Sequence, residues 1–130
     1  GGASAEAGTV AANGERTDPA RILEAIGTEL RGLRSEIGGI ADSSSRQSRI
    51  LEAIGRIQQT HCAAFVAARP ELIKQLGMAG YARVMDAFAA GERAINRAWS
   101  AAADEVEHES VASIDRAIEL IEEARTRLQA

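Results

Sequence analysis

The heptapeptide Arg21-Ile-Leu-Glu-Ala-Ile-Gly27 recurs as Arg49-Ile-Leu-Glu-Ala-Ile-Gly55, 28 residues further along the chain. An offset of four heptads returns the same side chains to the same side of a helix, so the repeat reads as two turns of one packing seam. The seam positions step alternately by three and four: Leu23, Ile26, Leu30, Leu33, Ile37, Ile40, Ser44, Gln47, Leu51, Ile54, Gln58, His61, Phe65 and Ala68. Steps of this kind define one helical face. The polar members Ser44 and Gln47 fall in Asp42-Ser43-Ser44-Ser45-Arg46-Gln47-Ser48, just after Gly38-Gly39. Two structures fit that segment. Paired glycines followed by serines stop one helix and start the next, with Gln47 reaching back in a capping box. A polar layer inside a continuous coiled coil would instead keep the heptad phase and fix its register.

Ala68-Arg69-Pro70-Glu71 ends this pattern, because proline disfavours a helical conformation in the residue before it. A short helix over Glu71–Leu76, closed by Gly77, makes residues 69–80 a structured bend. A second stripe then runs through Val84, Phe88, Gly91, Ile95, Trp99 (or Ala98), Ala102, Val106, Ile114, Ile118, Ile121 and Leu128. Asp104-Glu-Val-Glu-His-Glu-Ser110 weakens this stripe without a glycine or proline to break it, so a continuous helix is preferred there, with Asp104 or Ser110 as possible caps.

The chain is all-α in expectation. It has 130 residues, room for one domain, and its 45% hydrophobic content includes only 3% aromatics, which favours closely packed helices over a thick core. Residues 1–17 are small, polar and aperiodic and read as a flexible tail or linker. Thr17-Asp18-Pro19 is a helix start, with proline in the first turn where its missing N–H costs nothing. The leading arrangement over 18–130 is a long antiparallel helical hairpin, with arm 19–68, bend 69–80 and arm 81–128. Arms of about 50 residues give rods of roughly 75 Å. Folded about the bend, they set residue i opposite roughly 149 minus i. Ile54 then lies by Ile95, Leu51 by Trp99, and Ser44 by Glu105 and Val106. Charge agrees: residues 21–68 carry six arginines against five acids, and 104–128 carry eight acids against three arginines. The alternative is a compact four-helix bundle, broken at both polar segments.

The hairpin clusters Phe65, Met78, Tyr81, Met85 and Phe88 at its bend and leaves Ile22, Ile50 and Ile57 wet, which calls for self-association or a larger protein partner. The expected interface and packing residues are therefore Ile22, Ile50, Leu51, Ile54, Ile57, Phe65, Tyr81, Phe88 and Trp99, with Trp99 read first as a core anchor opposite Leu51 and otherwise as an exposed interface hot spot.

Several chemistries are poorly served. The net charge of −4 and the single lysine, Lys74, offer no basic face for nucleic acid. No phosphate-binding glycine loop, Gly-x-Ser-x-Gly elbow or paired-cysteine motif occurs, and no cofactor is expected. Glu105-Val-Glu-His108 has the Glu-x-x-His spacing of carboxylate-bridged metal sites, but such a site needs a second copy, and a solvated acidic face accounts for it. His61-Cys62 are adjacent on a helix and point about 100° apart, so they make no nucleophile–base pair. His61 instead reads as a buried or half-buried polar seam residue, and Cys62 as a small one. The serines of 42–48 have phosphoacceptor chemistry, which capping or a polar layer makes unnecessary.

No apolar run approaches the 18 or so residues of a membrane span. With one cysteine no intrachain disulfide can form, so a reducing, cytoplasmic setting is expected. The chain begins Gly-Gly rather than Met and reads as a piece of a longer protein, so its first residues say nothing about a leader.

Ile37-Gly-Gly-Ile-Ala-Asp-Ser-Ser-Ser-Arg-Gln-Ser-Arg-Ile-Leu-Glu-Ala-Ile54 is similar in cadence to helical signalling segments of bacterial chemoreceptors, which are long antiparallel hairpins. The likeness covers less than a sixth of the chain, and that family's glutamate-rich, glycine-containing tip is absent. It implies a coiled-coil signalling segment as a minor alternative. The leading expectation is a non-enzymatic structural, assembly or adaptor protein working through helical contacts. The second is a compact bundle that binds a small ligand or metal.

Overall fold

A computed structural model describes residues 18–130; the tail expected over 1–17 lies outside the described residues. All regular structure among them is helical. Helix α1 spans Pro19–Gly38 and α2 spans Ser43–Ile57. A single π-helical turn, Gln58–Cys62, joins α2 to the short α3, Ala63–Ala67. Helix α4 covers Arg69–Ala103 and α5 covers Glu107–Gln129.

Local chemistry sets the ends. Asp18 accepts from the Ala20 amide at the start of α1, with Pro19 in the first turn. Gly39 closes α1, and Asp42 opens α2 by accepting from the Ser45 amide and hydroxyl, both at 2.8 Å. The serine-rich segment is thus a helix stop and restart. Its cap is Asp42; Gln47 bonds the Ser43 hydroxyl rather than closing a capping box. The first arm is consequently two rods, and the Ile37–Ile54 stretch is not the continuous helix that the chemoreceptor likeness implies.

The second arm also breaks. Helix α4 ends at Ala103, and Glu105 takes a left-handed φ of 61° before α5 begins. The amides of Asp104, Glu105 and Val106 turn back onto the carbonyls of Ser100, Ala102 and Ala101, so the backbone supplies a stop that the sequence does not advertise.

Four rods result: α1; α2 through α3; the part of α4 after Gly77; and α5. Cross-links fix their directions. Glu36 pairs with Arg49 and Glu29 with His61, so α1 and the second rod are antiparallel. Gln58 bonds Asn96 at 2.6 Å and Arg46 bonds Glu107, an antiparallel pairing close to the register expected for the hairpin but shifted by several residues. Ser110 bonds the Ala98 carbonyl at 2.7 Å while Arg127 reaches the Arg83 carbonyl, which makes α4 and α5 antiparallel. The chain therefore folds as the compact up-down bundle.

That arrangement reverses one expectation. Ile22, Ile50 and Ile57, outward in a hairpin, are buried here, because folding α1 back onto the second rod covers both their helices. They share the core with Leu23, Ile26, Leu30, Ile54, Phe65, Phe88, Ile95, Ile114 and Ile121. Both copies of the repeat thus face inward through their isoleucines. Their glycines do different jobs. Gly27 lies under the Arg31 guanidinium, and Gly55 lies under the Trp99 indole.

Trp99 is 41% exposed, while Ala98 beside it is buried. The close approach of α4 and α5 at the Ser110–Ala98 hydrogen bond has room for a methyl group but not for an indole, so Trp99 rests on the surface across Gly55. Tyr81 and Leu51 are half-buried against the core, with Arg69 5.6 Å above the Tyr81 ring. At the bend Phe65 and Phe88 are buried, but Met78 is 59% exposed.

The bend turns on Gly77, whose φ of 72° and ψ of 173° interrupt α4. This region is essentially closed to residues with a Cβ, so Gly77→Ala is expected to cost about 1–3 kcal/mol in chemical denaturation even though open space surrounds the position.

Candidate functional site

Sequence reasoning places Gln58 and His61 on the buried seam; Gln58 already lies beside the buried Ile50, Ile54 and Ile57 stripe, and the π-helical turn removes His61. The turn accommodates one extra residue, so the buried positions step from Ile57 by five to Cys62 and then to Phe65. Gln58 bonds Asn96. His61 swings toward α1, where its Nε2 contacts the Glu29 carboxylate. The signal was present in the sequence as Ile50, Ile54, Ile57, Cys62 and Phe65, a stripe with a single step of five.

The rotation opens a groove of about 1150 Å³ between α1 and the rod formed by the π turn and α3. Arg21, Ile22, Ala25 and Glu29 line one wall, and Arg56, Thr60, His61, Ala63, Ala64 and Ala67 the other. Arg21, Ala25 and Glu29 form one helical stripe at steps of four, and four of the ten lining side chains, Ala25, Ala63, Ala64 and Ala67, are single methyl groups that leave space between the walls. The charges lie on the rims. Arg56 has no ion-pair partner among the described residues, and Arg21 makes only a loose 3.9 Å contact with Asp18.

The groove holds little reactive machinery. The Thr60 hydroxyl donates to the Arg56 carbonyl at 2.6 Å. Cys62 is buried behind the wall, where desolvation, and secondarily the Glu92 carboxylate, push its thiol up to about 12. A thiol in that condition is a poor nucleophile. The Glu29–His61 pair therefore has no activated hydroxyl or thiol to serve among the described residues.

The weak metal candidates are separated by the helix break. Glu105 belongs to the turn and His108 to the first turn of α5, so they do not share the helical face that their spacing requires. Among the described residues no group of three or more His, Cys, Asp or Glu side chains is placed to hold a metal ion.

A second polar cluster pins the bundle at its other end. Arg46 donates to the carbonyls of Ile40 and Ala41, both at 2.8 Å, and forks onto Glu107 at 2.6 and 3.1 Å. One side chain ties the α1–α2 loop to the start of α5 in a bidentate arrangement. The Arg46 hydrogen bonds hold Glu107 below its ordinary value of 4.5, and the Ser45 hydroxyl and amide hold Asp42 below 3.8. Carboxylates depressed in the folded state stabilise it above their unfolded values, and that contribution is lost as pH falls through the folded ones. Thermal melting is expected to decline progressively below those ordinary values, and Arg46→Ala, melted over the same pH series, should lower the plateau and shallow the decline.

No model of a known protein family matches the chain, and no curated protein or solved structure matches it either. No helix among the described residues is long and apolar enough to cross a membrane.

Proposed function

We propose that this protein is a non-enzymatic interaction module, an assembly or adaptor protein, that docks a helix of a protein partner in the groove between α1 and α3. The alanine floor carries the proposal. Ala25 on one wall and Ala63, Ala64 and Ala67 on the other let a helix backbone approach closely, while Arg21, Glu29 and Arg56 on the rims fix its register. At about 1150 Å³ the groove exceeds the roughly 300–1,000 Å³ typical of small-ligand pockets. A cytoplasmic setting suits the single buried thiol.

The test is amide-shift mapping of the isotope-labelled chain with a synthetic amphipathic helix, bearing small and leucine side chains on one face and mixed Glu and Arg flanks. Shifts should concentrate at Ala25, His61, Ala64 and Ala67 and disappear in Ala67→Arg, a substitution at an exposed groove position that leaves the melting temperature nearly unchanged. Binding elsewhere, or none, would count against the groove as a docking surface.

A further inference from the structure

The rim charges of α1 are arranged symmetrically about Ala25. Arg21 lies four residues before it and Glu29 four after, so all three occupy one helical stripe facing the groove. We infer that the helix docked in the groove belongs to a second copy of this chain, whose α1 crosses antiparallel to the first at Ala25, so that Arg21 of each copy meets Glu29 of the other.

The inference rests on the groove being a helix-docking surface and adds the identity of the occupant. A two-fold interface uses the same patch twice and must be self-complementary, which a single-sign rim cannot be. Here opposite charges sit at equal distances on either side of a methyl group small enough to lie at the crossing. Arg21 is placed to take a new partner, since its one ion pair among the described residues is loose and its side chain is 70% exposed. Glu29 is held toward the groove by His61, and a carboxylate with one edge engaged still accepts an arginine on the other. The alanines of α3 extend the close contact along the opposite wall.

Sedimentation equilibrium of the full chain, with circular dichroism to check folding, tests this. The wild type should show a concentration-dependent monomer–dimer equilibrium. Arg21→Glu alone and Glu29→Arg alone each place like charges opposite one another and should raise the dimer dissociation constant by about tenfold or more. The R21E/E29R double variant should recover the dimer, and an equimolar mixture of the two single variants should form a heterodimer, because every facing pair is again opposite in sign. Ala25→Arg, at a half-buried position on the crossing, should give a monomer whose circular dichroism matches the wild type.

A wild type that stays monomeric, or that dimerises only after residues 1–17 are removed, would overturn the inference. So would a dimer indifferent to the charge reversals, or one that neither the double variant nor the mixture restores. A monomeric wild type that still binds the synthetic helix at Ala64 leaves the docking reading intact, so the two ideas fail separately.

Discussion

Ile50→Asp is expected to leave the chain without a cooperative folded state at room temperature. Ile50 is fully buried between α2 and the rods packed on it. Truncating such a side chain costs about 2–5 kcal/mol through lost burial and the cavity left behind. A carboxylate placed there has no cation to meet, which adds a desolvation penalty of several kcal/mol or forces the group to stay protonated. Together these approach the total stability of about 5–15 kcal/mol typical of a single domain. Urea unfolding followed by helical circular dichroism checks it. The neighbouring Glu52→Ala, at an exposed position, should stay within about 0.5 kcal/mol of wild type. In an extended hairpin with Ile50 facing solvent, Ile50→Asp would be equally mild.

Phe65→Ala should cost about 3–5 kcal/mol. Phe65 comes from α3 and Phe88 from α4. Both are fully buried, with ring centroids 4.2 Å apart and planes tilted by 37°. They join the second rod to the third just above the Gly77 bend. The same substitution at Phe88 should cost a similar amount, and the double variant less than the sum, since either truncation already removes the ring–ring contact worth about 0.5–1.5 kcal/mol. Additive losses in a denaturation cycle would mean that the two rings do not stabilise each other.

The helices were legible because each carries one apolar stripe, and the bend because proline and glycine bracket it. Gly77 was readable as a helix stop, and its positive φ explains the choice of residue. The compact arrangement was not decided by that periodicity, since a bundle and a hairpin bury the same stripes in different company. What decides it is Asp42 capping a new helix and α1 folding back so that Glu36 meets Arg49 and Glu29 meets His61, contacts within what a hairpin would make one straight arm. The break after Ala103 was hidden for a related reason: backbone groups alone close it, with Glu105 accepting a left-handed conformation. The heptad stepping puts His61 on the seam, but the extra residue of the π turn carries it off the seam and into the groove. A strict three-and-four stepping cannot register that slip.

The groove exists only if α1 folds back along the rod that carries the π turn. Thr28 and Thr60, exposed residues flanking the Glu29–His61 contact, report this directly when both carry spin labels in a Cys62→Ala background diluted with unlabelled chain. Pulsed electron-spin measurement should give a separation of about 10–20 Å, set by a helix spacing of about 8–10 Å plus the label arms. Along an unbroken helical arm the same residues would stand about 48 Å apart, and a distribution centred there would contradict the bundle and the docking groove that depends on it.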